Sequence, residues 1–380
     1  MNPASNDLPP APRPRVSREH RRYKFRPDPA AKPVPALLAR LRHDPRFARR
    51  AVQVAFVLLS VWIGVEFWLF MRWGQSGGAA AFQPRPPGAE AFLPIRGLLG
   101  LLHWARTGSL NVVHPAATVV LLAVLVVSVL VRKSFCSWIC PIGTLGDALA
   151  AVGRRLFKRN FAVWRVLDYP LRAIKYALLF YFVAMLAGMS AVALEMFVYG
   201  SYNRMADVAM YRFFAHVSPR ALGVLLVLAV ASTLYHRFWC RYLCPYGALL
   251  GLAGLISPLR VTRVKATCID CELCSRACPS RIAVHRIGAR RTAAPLGRVW
   301  SDECTTCMRC VGECPVRDTL VVRPSLWPRS LAAPVVAAVV VGVFALIAFV
   351  AMASGHWESA VAPAEYLQHL GRPAAHGMSR

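Results

Sequence analysis

The sequence predicts a mainly α, polytopic membrane protein of about five transmembrane helices carrying a cytoplasmic cysteine-rich lobe, and three observations predict it. Of its 380 residues, 56% are hydrophobic and the mean hydropathy is +0.43, too apolar for an ordinary soluble domain. Five stretches, roughly 51–73, 115–131, 174–198, 221–238 and 332–353, are apolar over membrane length, since about 17 to 25 such residues cross the hydrocarbon. All twelve cysteines fall in four short motifs, with none left over.

The net charge of +28 raises the question of nucleic acid, but its distribution points to topology instead. Lys plus Arg number 13 in residues 1–50, 3 in 74–115, 8 in 132–173, 2 in 199–219, 15 in 237–330 and 2 in 354–380. Rich and poor segments alternate across the five spans. The positive-inside rule therefore puts the N-terminus and the lobe in the cytoplasm and the C-terminus outside. No basic, aromatic-studded module accompanies the charge, so no nucleic-acid partner is expected. All four cysteine motifs then face a reducing compartment, which favours metal binding over disulfides.

Taken in order, residues 1–50 read as a basic tail, Pro/Arg-rich and disordered over 1–36, because such a composition buries little apolar surface. Residues 51–260 form the membrane domain, with lipid as its first partner. The second span is at the short limit, and Arg132 and Lys133 are expected to snorkel from its end. Ala89 to Trp104 reads as an outer interfacial or re-entrant helix, and 145–159 and 246–257 as matching inner ones. Residues 261–323 make the lobe, 332–353 the last span, and 354–380 a short extracytoplasmic tail. An internal repeat at an offset of 104 residues aligns Phe135 to Gly143 with Trp239 to Gly247.

Within the lobe, Cys268-x-x-Cys271-x-x-Cys274-x-x-x-Cys278-Pro279 and Cys304-x-x-Cys307-x-x-Cys310-x-x-x-Cys314-Pro315 match the spacing by which thiolates hold two [4Fe-4S] clusters. The fourth cysteine of each run reaches the other cluster in such ferredoxins. The spacing thus assigns Cys268, Cys271, Cys274 and Cys314 to cluster one, and Cys278, Cys304, Cys307 and Cys310 to cluster two. A zinc ribbon suits one motif taken alone, yet zinc has no need of the third and fourth cysteines. Pro279 and Pro315 are expected to end a helical turn. The stretch between Cys278 and Cys304 leaves room for a connecting helix and turn.

Cys136-x-x-x-Cys140-Pro141 and Cys240-x-x-x-Cys244-Pro245 each follow a span. On a helix, i and i+4 project from one face, and the proline is expected to break that helix between the two cysteines. Three readings stand: an additional metal centre shared by both motifs, a reversible dithiol or copper site, and cysteines packed as small hydrophobes. Ionisable groups in or beside spans are functional candidates. Glu66, His103, His114 and Glu195 lie toward the outside, where a carboxylate and an imidazole suit the two protons that a quinol releases. The plainer alternatives are that Glu66 pairs with Arg96 and that His114 caps a helix. No Cys-x-x-Cys-His and no glycine-rich dinucleotide motif occurs, so any activity rests on clusters, quinone, thiols or a captured metal.

The chain resembles polytopic iron-sulfur proteins of the NapH/NosR/YccM type. The resemblance is carried by Gly88-Ala89-Glu90-Ala91-Phe92-Leu93-Pro94-Ile95, His114-Pro115-Ala116, Leu167-Asp168-Tyr169-Pro170, Gly355-His356-Trp357 and the four cysteine motifs. It implies a bacterial inner-membrane electron-transfer protein working between the quinol pool and a partner reductase. A related branch, the oxidase-assembly protein CcoG, is associated with copper handling and has a further C-terminal domain. That branch supplies the alternative function, a copper-handling or cupric-reducing accessory.

Overall fold

Proline opens most of the helices, where its missing N–H costs no hydrogen bond and its fixed φ suits the first turn. A computed structural model describes residues 44–158, 161, 163–288, 296–316, 318–325 and 329–370. In chain order the membrane part holds α1 (Pro45–Gln75), a 3-10 turn (Pro87–Phe92), α2 (Pro94–Thr107), α3 (Pro115–Val131), α4 (Pro141–Phe157), α5 (Arg165–Ala187), α6 (Ala191–Tyr199), α7 (Ala206–Ala215), α8 (Pro219–Leu234) and α9 (Pro245–Ala253). The lobe follows as β1 (Leu259–Val264), α10 (Leu273–Ala277), β2 (Leu296–Arg298), α11 (Arg309–Glu313) and β3 (Leu320–Pro324). After it come α12 (Ala333–Ala353) and α13 (Pro363–Leu370). The N-terminal tail falls outside the described residues up to residue 43. Its last residues, counted with the tail by composition, already belong to α1.

Among the described residues three helices, α1, α5 and α12, are long and apolar enough to cross a membrane, and α7 with α8, bent by 81°, makes a fourth candidate if the pair is one span. At 17 residues α3 is shorter, about 25 Å by helical rise. The stretch expected as one span over 174–198 is instead broken after Ala187. Ser190 caps α6 by accepting from Ala193 N at 3.2 Å, and Arg106 donates to the carbonyls of Ala187 and Met189 at 2.6 Å each. Those contacts satisfy the orphaned groups that a helix break creates. Tryptophans and aliphatic side chains of α1 such as Trp62, Leu58 and Val65 remain outward and exposed, as a lipid-facing surface requires.

The lobe is built on a three-stranded sheet ordered β2-β1-β3, antiparallel throughout, with Thr262 opposite Arg298 and Val261 opposite Val322. Among the described residues between Cys278 and Cys304 lie a 3-10 turn, Val284–Arg286, and strand β2. The two ferredoxin loops repeat one conformation. Asp270 and Glu272 have φ of 49° and 60°, and Thr306 and Met308, two and four residues past the equivalent cysteine, have 45° and 55°. The short helices α10 and α11 then end at Cys278 and Cys314, ahead of each proline.

One apolar core joins lobe and membrane helices. It runs from Val261, Met308 and Val322 through Trp138 to Val131 of α3 and Val336 of α12. A second core at the far end packs Phe70, Met71 and Trp73 of α1 with Tyr366 and Leu370 of α13. The chain after α12 is therefore folded against α1 over Pro363–Leu370. The lobe meets the N-terminal ends of α1 and α12 and the C-terminal end of α3. These ends are where the cysteine motifs gather.

Candidate functional site

The ferredoxin cysteines sort into two cavities. One is lined by Cys268, Cys271, Cys274 and Cys314, the other by Cys278, Cys304, Cys307 and Cys310. Each set takes three cysteines from one loop and the fourth from the other. The second cavity is the deeper in that Cys304, Cys307 and Cys310 are buried, against Cys274 alone in the first. Burial and the Cys307 thiol push Cys278 up to about 12. Among the described residues no three His, Cys, Asp or Glu side chains converge to hold a single metal ion. In both cavities the thiols ring a volume rather than a point.

The other four cysteines meet past the C-terminal ends of α3 and α8. Phe135–Trp138 forms one helical turn and Trp239–Leu243 a π-helical one, so the two loops are related but not identical. In each, the proline does not break the helix between its cysteines. It is the first residue of the next helix, α4 or α9, and Cys140 or Cys244 is that helix's N-cap. Gly247 N donates to Cys244 Sγ at 3.3 Å, whereas Cys140 makes no side-chain cap bond, although the Ile142 and Gly143 amides act against its upward shift. Amides at a helix N-terminus favour a thiolate. Burial first, and the neighbouring thiols after it, push Cys136, Cys140 and Cys240 up to about 12, while Lys133 and Arg237 act the other way on Cys136 and Cys240.

Those two cations are buried and paired. Arg132 and Lys133 do not snorkel: Arg132 turns into the lobe and donates to Val299 O at 2.9 Å and to the Ser301 carbonyl. Lys133 Nζ lies 3.8 Å from Glu303 Oε2, and Lys175 pairs with the same carboxylate. Arg237 makes a forked contact with Asp147, at 2.9 and 2.8 Å, and Arg49 reaches Asp147 Oδ2 at 3.1 Å. Asp168 accepts from both Nε and Nη2 of Arg241, at 3.1 and 3.0 Å, and from Tyr242 OH at 2.5 Å. These partners went unseen in the sequence. The signal available for Asp147 and Glu303 is an acid near a cysteine motif in a chain with few acids, and for Asp168 its place in Leu167-Asp168-Tyr169-Pro170.

Away from the lobe the structure separates the four ionisable candidates. His114 is fully buried, its Nδ1 3.2 Å from Glu90 Oε1 and its Nε2 2.7 Å from Asn203 O. The helix cap comes from Glu90, whose Oε2 accepts from Ala117 N at 3.1 Å, while His114 occupies the N-cap position without a side-chain cap bond. Arg85 bridges Glu90 and Asp207 at 2.8 and 2.6 Å. His103 is buried apart, against Ser109 O at 3.2 Å. Glu66 is half-buried and Glu195 exposed on other helices, and Arg96 pairs with Asn203 rather than Glu66.

Comparison with known proteins bears on the same segments. A family described as a 4Fe-4S binding domain matches residues 113–160 and again 217–263, the two halves of the repeat. A 4Fe-4S dicluster domain matches residues 260–315. YccM of Escherichia coli (strain K12), named for electron transport, is 39% identical over 328 residues, covering 85% of this chain and 89% of YccM. The chain belongs to the NapH/NosR/YccM family of iron-sulfur electron-transport proteins. Within that family, ferredoxin-type protein NapH of Haemophilus influenzae is 30% identical over 50% of this chain and 62% of its own. NirI of Paracoccus denitrificans is 35% identical over 49% of this chain, which spans only 26% of NirI. No solved structure matches the chain. Family and apolar helices together make this NapH/NosR/YccM member a membrane protein.

Proposed function

We propose that this protein carries electrons between the quinol pool and a partner reductase at the cytoplasmic face of a bacterial inner membrane, through two [4Fe-4S] clusters and a third iron-sulfur centre. The clusters are assigned to the two lobe cavities, each with the crossed cysteine set described above. The third is assigned to Cys136, Cys140, Cys240 and Cys244. The carrying observation is their meeting between two membrane helices beside buried Lys133 and Arg237. Thiolate-ligated iron-sulfur clusters are anionic, and buried charge needs such partners. When bound, the clusters supply one-electron redox chemistry. The alternation of basic segments supports five spans with the lobe inside, and Glu90 and His114 are assigned as a proton-handling pair.

Anaerobic purification with joint iron, copper and quinol measurements tests this. About twelve irons per chain are expected, against about eight for two four-iron clusters alone, with clusters reduced on adding quinol. Stoichiometric copper lost in Cys136→Ser/Cys240→Ser would favour the copper-handling alternative, and no response to quinol would sink the quinol reading. His114→Gln locates the oxidation. The pair lies about 25 Å from the inner end of α3 by helical rise, so quinol oxidised beside it needs an intervening carrier. Quinol oxidised beside the thiols does not, and is then insensitive to His114→Gln.

A further inference from the structure

Both Cys-x-x-x-Cys-Pro loops dock on the deeper ferredoxin cavity. From the first loop, Ser137 Oγ donates to Thr305 O at 2.7 Å and Trp138 Nε1 donates to Thr306 O at 3.2 Å. Both acceptors lie between Cys304 and Cys307. From the second loop, Arg241 Nη1 donates to Ser280 O at 2.9 Å, two residues past Cys278. Ser280 Oγ in turn donates to Glu303 O at 2.8 Å, beside Cys304. Every acceptor therefore belongs to the segments that bring Cys278, Cys304 and Cys307 to one cavity.

The docking contact is buried. Trp138, Ser137 and Arg241 are buried, Trp138 completely. Two ion-paired bridges flank it, Lys133 with Glu303 and Asp147 with Arg309, the latter at 3.7 Å, and Arg309 lies between Cys307 and Cys310. The shallower cavity faces outward instead, with partly exposed Cys268 and Cys271 beside Ile269 at 45% exposure.

We infer that Trp138, Ser137 and Arg241 are the positioning residues that couple the membrane thiol site to the Cys278/Cys304/Cys307/Cys310 site, making the order membrane site, deeper lobe site, shallower lobe site. This rests on the reading of the four membrane thiols as a redox centre. One electron crossing this contact leaves the membrane site oxidised by one and the deeper lobe site reduced by one, with no proton moved and no bond broken. The hydrogen-bonded chain from Trp138 to the Thr306 carbonyl gives that electron a short covalent and hydrogen-bonded path between Cys136 or Cys140 and Cys304 or Cys307. The shallower site is then the point of exchange with a soluble redox protein.

Electron paramagnetic resonance on the full, iron-loaded chain, reduced by dithionite, tests the order. A soluble dysprosium chelate should broaden one cluster signal most, marking the shallower site. Cys136→Ala/Cys240→Ala should abolish a magnetic splitting on the other lobe cluster and leave the chelate-broadened signal unchanged. Trp138→Phe, which keeps a ring and loses the N–H, should shrink that splitting with iron content and the potential of the shallower cluster unaltered; a merely structural role would move iron content instead. The order is overturned if the double variant alters the chelate-broadened signal. The role of Trp138 is overturned if Trp138→Phe keeps the full splitting. Iron near eight per wild-type chain would remove the third centre itself, a failure of the underlying reading that is visible before any variant is made.

Discussion

At the residue scale the membrane thiol site depends on groups too small to notice in a motif. A Cβ at Gly143 would fall 2.1 Å from the carbonyl oxygen of Cys136, whereas one at Gly247 would meet nothing closer than 3.4 Å. The repeat is thus asymmetric at its tightest point. Adding a methyl where backbone already stands forces the backbone to move, at a cost of about 1–3 kcal/mol. Gly143→Ala is therefore expected to lower iron retained by the membrane site while Gly247→Ala keeps it. Iron analysis of the two purified variants checks this, and equal iron in both would contradict it. The same asymmetry separates the α turn around Cys136 from the π turn around Cys240. The aligned motifs, which share only cysteines, proline and glycine, give no hint of it.

At the element scale, Asp147 ties four segments together. From α4 it receives Arg49 and Gln53 of α1, His236 and Arg237 after α8, and Arg309 of α11. Its carboxyl is buried, yet Arg237 and the His236 contact hold it well below the usual carboxylate range. A depressed carboxylate contributes stability that is present above its unfolded pKa and lost as pH falls through its folded one. Asp147→Asn leaves buried guanidinium groups without a counter-charge and is expected to cost about 3 kcal/mol. Thermal unfolding in detergent should show that deficit constant from neutral pH to about 5 and shrinking below about 4, where the wild type begins to lose it; a deficit unchanged in acid would refute the assignment. Such latches explain which elements were legible. Apolar length exposes α1 and α12, and cysteine spacing exposes the crossed cavity sets, because both signals are local. The break after Ala187 depends on Arg106, some eighty positions away, and Glu90 caps α3 from another segment. Periodicity carries no trace of either.

On the scale of the whole molecule, lobe and membrane helices are one folding unit. The sheet residues Val261 and Val322 share a core with Val131 of α3 and Val336 of α12. Buried Arg132 and Lys133 cross from one part to the other. Residues 261–323 expressed alone would expose the apolar side that α3 and α12 cover, and small domains have little core to spare. Such a fragment is expected to aggregate or remain unfolded even with iron and sulfide supplied, whereas the full chain binds both; a monomeric, cluster-bearing fragment by size exclusion and absorbance would disprove this. Whole-chain stability should likewise fall when iron is chelated, because ligand binding of this kind is folding free energy. The shared core also has a kinetic meaning. A lobe welded to its helices cannot swing out to search for a partner, so under the proposed function no swing of the described lobe serves delivery. Its ceiling is set by how often the partner diffuses to a stationary terminal. Solvent viscosity should accordingly slow the hand-over to the partner while leaving the internal electron steps at their own pace.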